Sequence, residues 1–525
     1  MPFKNHLVFL ILAVVFSFFA LIPVFYRFQN TPASYVYLGA EKYHPDYYLY
    51  LNFIKQGVNG HLTMRNDYTS EPIKRTIVHS EYLLIGWVGK MLNLSSFMSF
   101  HASRFFLNFI FALVTFWFLN IFIKNKIILV ITSFLSFFYT GPPTDYFFSP
   151  PNFFQRASLD QHHLLGAIFT ILTMGLFLKF SHEKISWLKL FIIGICAGAL
   201  SYFFTTGILV LLPSIFLFIL FYKTKNNIFL FITLCLFSLP ILAYIYYIFI
   251  SNPSLVNIGN FEKYFARIDA QEPFVKIISS YLWFFWPLLL VFFIEKTLFL
   301  VNTFYLKPSR IYPSSYYLLI FYLIVHFFFY LIFFQMLDIS RMRMFRLPFV
   351  IFTAPVTYFG LKIIYETFQK SQKKISSFLL GGFILFLVFF SFKNSLPVWQ
   401  KEFDYGLKPI VDEAVFLPKK TFFALNYLTN FPENEVVLAP TNLAAFIPGV
   451  STQQVYAGHS VNTISFNGKK TLVDKFFSEE MTSQEAENFI KESGISLILS
   501  PKSLDYTFLK VEKKLDNFFI YKVSF

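Results

Sequence analysis

Asp46, in the segment HPDYYLYL, is the first residue whose type and place suggest chemistry. Pro45 predicts a helix start, and the pattern runs as a short helix over residues 45–54 before Gly57 and Gly60 stop it. A carboxylate in a first turn faces the positive end of the helix dipole and stays ionised. It can then take a proton from a hydroxyl, although the same position also suits a plain helix cap. The second group is Asp160, His162 and His163 in RASLDQHH. An acid and two imidazoles entering an apolar stretch together suit a divalent cation or an oriented phosphate. Interfacial anchoring is the other role open to them, because residues two apart on a helix are turned by about 200°. The third group is Arg341, Arg343 and Arg346 in RMRMFR. Guanidinium groups grip phosphate bidentately; bulk lipid phosphates, or pairing with Asp338, are the alternatives. Glu71 is a further candidate as metal ligand or supporting group, and Glu81, Asp145, His44, His61 and His79 share its face of the membrane.

These residues must be positioned by a membrane fold. The 525-residue chain is 56% hydrophobic and 14% charged, with 77 Phe, 31 Tyr and 6 Trp. Soluble domains carry about 25% charged residues, so a soluble enzyme, a disordered protein and a nucleic-acid binder are all poor readings. Eleven apolar runs are long enough to be candidate spans, at 6–26, 97–123, 127–140, 161–180, 187–203, 205–222, 228–250, 274–300, 316–336, 347–362 and 375–395. Threading them from a cytoplasmic N-terminus puts Lys124 and Lys126, Lys184 and Lys189, Lys223 and Lys225, Lys307 and Arg310, and Lys370, Lys373 and Lys374 inside. The acids then sort to the outer face. The expectation is a multi-pass plasma-membrane protein, N-terminus cytoplasmic, with its polar chemistry outside.

The net charge of +15 follows the same division. Residues 1–395 carry 31 Lys and Arg against 14 Asp and Glu, and residues 396–525 carry 13 against 15. The surplus therefore belongs to the transmembrane domain, 1–395, where the positive-inside rule expects it. Its first external loop, residues 27–96, is too long to be a connector and carries a second, interfacial helix over 81–92. Residues 396–525 have the composition of a soluble α/β domain, which an odd span count places outside the cell. Strands are predicted over 435–440, 454–458, 495–500 and 518–523, and helices over 420–430 and 483–492. His459, in AGHS, is the tail residue to mutate first, although a loop histidine with satisfied hydrogen bonds also explains it. Cys196 and Cys235 lie in apolar runs with no metal spacing, and no glycine loop suggests a nucleotide cofactor.

The long first external loop with an acid soon after span one, the second external loop ending in SLDQHH, and the late external RMRMFR together resemble the GT-C superfamily of membrane glycosyltransferases. The tail stretch ENEVVLAPTNLAAFIPGVSTQQVYAGHS looks like the external C-terminal domain of bacterial members of the mannosyltransferase and aminoarabinose transferase type. The resemblance implies an α-helical polytopic, GT-C-like fold. It also implies a polyprenyl-phosphate-linked sugar as donor, inversion at the anomeric carbon, an envelope glycolipid, polysaccharide or protein as acceptor, and Asp46 as the catalytic acid of the first external loop. It leaves a divalent metal at Asp160, His162, His163 and Glu71 as a weaker expectation. No paired Asp-Glu stands at Asp46 and no Trp-Trp-Asp segment occurs in the tail, which disfavours N-glycan transfer. Two other classes stay open: a transporter or flippase of a lipid-linked or anionic solute, with Arg104 and His326 as its main intramembrane candidates, and a non-catalytic envelope scaffold.

Overall fold

The computed structural model describes residues 4–40, 44–123, 126–138, 160–271, 315–340 and 400–523 apart from 409, with residues 389 and 393 singly. Contacts divide the chain into two units. One comprises Met1–Leu21, Arg104–Tyr244 and Glu262–Glu402, the other Ile22–Ser103, Ile245–Phe261 and Phe403–Phe525.

Mostly apolar helices make up the described part of the first unit, while the helices Ile22–Gln29, His44–Val58 and Ser80–Met91 belong to the second. In chain order the described helices up to residue 328 are α1 (Lys4–Phe19), α2 (Ile22–Gln29), α3 (His44–Val58), α4 (Ser80–Met91), α5 (Ser96–Phe122), α6 (Lys126–Phe138), α7 (Gln161–Ser181), α8 (Trp187–Phe203), α9 (Thr205–Phe221), α10 (Lys225–Ser251), α11 (Pro253–Ala270) and α12 (Ser315–Phe328). Among them α5, α7 and α10 are long and apolar enough to cross a membrane, α5 and α10 having 27 residues each and α7 21. At 1.5 Å per residue those lengths reach about 40 and 31 Å, at or beyond the hydrocarbon thickness. The protein is therefore a membrane protein.

Eight of the eleven expected spans coincide with described helices. The run 6–26 is broken into α1 and α2, with Pro23 in the first turn of the second helix. The runs 274–300 and 347–362 lie outside the described residues, as does 375–395 apart from residues 389 and 393. Leu164, Ile168, Ile171 and Phe177 of α7 are buried with Ile193 and Leu200 of α8 and Ile208 and Leu211 of α9. Outward residues of α8 such as Trp187 and Phe191 are exposed, as a lipid-facing side requires.

The second unit joins the first external loop to the tail. Strand β1 (Tyr35–Tyr37) pairs antiparallel with β2 (Phe416–Pro418), in the register Tyr35 with Pro418 and Tyr37 with Phe416. Five further strands, β3 (Val436–Leu438), β4 (Gln454–Val455), β5 (Leu497–Ser500), β6 (Lys510–Leu515) and β7 (Phe518–Lys522), form one sheet in the order β4-β3-β5-β7-β6. Strand β3 is parallel to both β4 and β5, and β7 is antiparallel to β5 and β6.

Because side chains alternate along a strand, this sheet serves two cores. Val437, Leu497, Leu499, Phe518 and Ile520 join a cluster with Tyr48, Ile54, Tyr68 and Tyr82 of the first loop. Leu438, Ile498 and Tyr521 point the other way, onto Val473 and Phe476 of α13 (Phe466–Phe477) and Ile490 of α14 (Ser483–Glu492). Thr482 caps α14 in a reciprocal capping box with Glu485. Each large side chain so buried contributes about 1.5–3 kcal/mol, so the loop and tail stabilise one another through one sheet.

Helix α3 corrects the sequence expectation: it runs through Gly57 to Val58. A Cβ at Gly57 would meet the Leu83 carbonyl of α4 at 2.3 Å, and one at Gly86 the Ile54 carbonyl at 2.1 Å. Gly57 is thus a crossing point of two helices. The chain turns away at Gly60, whose φ of +89° lies in the left-handed region. In the tail, α14 falls where expected, while β6, β2 and α13 were not anticipated; the exposed KVEKKL of β6 gives no alternation of apolar and polar residues.

Candidate functional site

The second unit supplies Asp46 and its surroundings. Helix α3 opens HPDYY, with Asp46 in its first turn and Tyr47 and Tyr48 buried behind it. The Tyr47 hydroxyl donates to the Leu38 carbonyl at 2.5 Å, fixing the strand entering the helix. The Asp46 side chain is 51% exposed, and the buried imidazole of His459 lies beside it, Nε2 to Oδ1 being 3.6 Å. Burial lowers the pKa of His44, at the same helix start, against the raising influence of Asp412 and Asp46.

The loop carrying His459 is held by a set of polar contacts with the first external loop. The backbone N–H groups of Val461 and Asn462 both donate to His459 Nδ1, each at 3.2 Å. An acceptor at Nδ1 puts the proton of the neutral ring on Nε2, the nitrogen that faces Asp46. Thr463 Oγ1 accepts from the N–H groups of Gly458 and His459 at 3.1 Å and donates to the Tyr68 carbonyl at 2.5 Å. Asn66 donates to the Asn462 carbonyl at 2.7 Å, and the Tyr68 ring stands edge-on to His459 with centroids 5.5 Å apart.

Glu71 lies in the same unit and is engaged by the tail. The Lys469 ammonium, on α13, is 2.8 Å from its carboxylate and also donates to Thr69, Ser70 and the Tyr456 carbonyl. Burial raises the Glu71 pKa, but the hydrogen bonds from Lys469 and Thr69 outweigh it, and the net shift is downward. Nearby, Asp67 is fully enclosed, with Arg65 at 2.5 Å, Asn52 at 2.9 Å and Gln56 at 3.0 Å. Burial pushes its carboxyl upward against those partners.

The first unit supplies Asp160, His162 and His163. Asp160 is the N-cap of α7 with extended backbone (φ −60°, ψ 152°), and both histidines are buried in the first turn. The helical separation expected for positions two apart therefore does not hold, since Asp160 stands before the helix. One ligand atom from each of the three residues lies within 4.8 Å of the others. Donors around a tetrahedral zinc at about 2.0–2.1 Å stand about 3.4 Å apart, which side-chain rotation from this arrangement can reach, so a carboxylate and two imidazoles fit a divalent transition metal.

Of the remaining sequence candidates, Arg341, Arg343 and Arg346 lie outside the described residues. Asp338 faces Lys263 at 3.4 Å. Arg104 is buried and donates to the Ala20 carbonyl at 3.2 Å, and His326 stacks between Tyr322 and Tyr330. Glu81 is buried and meets His79 at 3.0 Å. The sequence reading missed the meeting of His459 with Asp46 and of Lys469 with Glu71. A strand followed by AGHS pointed at His459, but nothing in Lys469 distinguished it from its neighbour Lys470.

No family model and no curated protein sequence matches the chain. Solved structures do. The oligosaccharyltransferase of Archaeoglobus fulgidus in its apo form superposes with a TM-score of 0.54 at 14% identity, covering 94% of this chain and 69% of that one. The same protein in complex with Zn and sulfate gives 0.53 at 15% identity, covering 94% and 67%. The chain therefore shares the fold of that protein over most of its length.

Proposed function

We propose that this GT-C fold carries an inverting membrane glycosyltransferase, which moves a sugar from a polyprenyl-phosphate-linked donor to an acceptor of the cell envelope at the outer face of the plasma membrane. One observation carries the reading: a half-exposed carboxylate, Asp46, at a helix start, faced by a buried histidine N–H. In that position the helix dipole and the neighbouring donor keep the carboxylate ionised, and an ionised carboxylate open to solvent is what a base toward an acceptor hydroxyl needs.

In the reaction, Asp46 takes the proton from the acceptor hydroxyl as its oxygen attacks the anomeric carbon. The bond from that carbon to the phosphate oxygen breaks on the opposite side, and the lipid phosphate leaves with the electron pair. Charge grows on the phosphate in the transition state, so groups aimed there lower the barrier more than groups that merely bind the donor. Arg341, Arg343 and Arg346 have the chemistry for that task. Asp160, His162 and His163 would hold a divalent cation, which when bound supplies Lewis-acid chemistry toward a phosphate. The relative's zinc and sulfate complex supports a metal and an anion in this fold type. Glu71, engaged by Lys469, supports the loop that carries the site. The tail from residue 396 would cover the acceptor side.

The test uses the full-length protein purified in detergent, where no transmembrane gradient exists. Supplied with the radiolabelled lipid-linked sugar fraction of its native cells, it should convert a donor and invert the anomeric centre. Absence of conversion, together with gradient-dependent movement of the same lipid in vesicles, would refute the proposal.

A further inference from the structure

We infer that His459 is the positioning residue of Asp46, so that the tail loop completes the base of the first external loop; this rests on the reading of Asp46 as the base. The ring has one usable donor and one direction. Its Nδ1 accepts the N–H groups of Val461 and Asn462, which commits the neutral ring to a proton on Nε2. Its body cannot swing, because Thr463 ties the His459 backbone to Tyr68 and the Tyr68 ring packs against it.

The buried Nε2 meets no hydrogen-bond acceptor within range among the described residues. The Asp46 carboxylate oxygen is 3.6 Å away. That separation is a few tenths of an ångström beyond an N–H···O bond and too short to admit a water between the two. The His459 side chain is 4% exposed and that of Asp46 51%, so the buried ring is the fixed member of the pair. A closing of a few tenths of an ångström puts the ring N–H on Oδ1 and orients the carboxylate toward the acceptor hydroxyl. The N–H also favours the ionised form. Among the described residues, the groups facing this pair include His44 on the same helix, Tyr68 from the first loop, the Asn462 side chain at 3.1 Å from His459 Nδ1, and Asp412, which acts on His44.

The experiment compares full-length His459→Phe, His459→Gln, Asp46→Asn and the Asp46→Asn/His459→Phe double variant. All are assayed with the radiolabelled lipid-linked sugar fraction and checked for an unchanged thermal midpoint. His459→Phe should lower kcat about tenfold or more, with KM within about threefold, and move the acidic limb of the kcat profile to higher pH. His459→Gln, which keeps an N–H, should recover most of the loss. The double variant should be no slower than Asp46→Asn alone, as expected for two groups acting as one. Wild-type kcat and pH profile in His459→Phe, beside an inactive Asp46→Asn, would overturn the inference and leave the base assignment standing. An active Asp46→Asn would overturn the base assignment itself. Independently of folding in the variants, selective ¹⁵N-histidine spectra of the wild-type chain should show His459 protonated at Nε2 near neutral pH. A proton on Nδ1 would overturn the inference.

Discussion

Lys469 holds its ammonium 2.8 Å from the Glu71 carboxylate, with 9% and 36% of the two side chains exposed. The pair is therefore an internal tie between the tail and the first external loop. Breaking it by Lys469→Met leaves a carboxylate that can still reach water, so the loss should be about 1–2 kcal/mol rather than that of a fully buried pair. A fall of several degrees in the thermal midpoint of the detergent-purified protein checks this, and an unchanged midpoint contradicts it.

The same pair sets a pH dependence. Burial works against ionised Glu71, but its hydrogen bonds from Lys469 and Thr69 leave the folded carboxyl below its ordinary range. A depressed folded pKa means that the unfolded chain binds the proton more readily in acid. Its contribution is thus present above the usual glutamate value of about 4.3 and is lost as pH falls through the folded one. Glu71→Gln should flatten the acid limb of midpoint against pH. A limb identical to the wild type would remove Glu71 from it.

Helices α3 and α4 cross at Gly57 and Gly86, each placed against a backbone carbonyl of the other helix. Gly86→Ala must push the two apart, because its Cβ meets a carbonyl and not the end of a flexible side chain. The expected cost is about 1–3 kcal/mol, read as a lower thermal midpoint. Gly468→Ala, where a Cβ meets nothing within 4 Å, is the control. Equal midpoints for the two variants would contradict the crossing.

Much of this was legible in the sequence because it rests on local signals. Pro45 and the apolar spacing marked the start of α3, and the composition change near residue 396 marked the tail. The helix-like residue pattern over 483–492 marked α14. What was not legible depends on contacts between distant segments. Gly57 reads as a helix stop until Leu83 is brought against it. Asp160 and His162 read as opposite faces of a helix until the helix begins between them. The partners of Asp46 and Glu71 come from a loop and a helix nearly the whole chain away, and no periodicity records such a meeting. The RMRMFR arginines lie outside the described residues, and their part rests on their chemistry.

Asp160, His162 and His163 should bind a divalent transition metal in the purified, chelator-stripped protein. Titration calorimetry with Zn²⁺ and Mn²⁺ reads this directly, without any assay of activity. His162→Ala and Asp160→Asn should each weaken binding about tenfold or more. Equal affinity in the wild type and both variants would exclude the cluster as the metal site.

The most direct measurement is the rate of sugar transfer by Asp46→Asn in the purified full-length protein. Asparagine keeps the size and much of the capping capacity of aspartate but cannot accept the proton, so folding and donor binding should persist while kcat falls by about 100-fold or more. Transfer from the lipid-linked donor at the wild-type rate, with the thermal midpoint unchanged, would contradict Asp46 as the base.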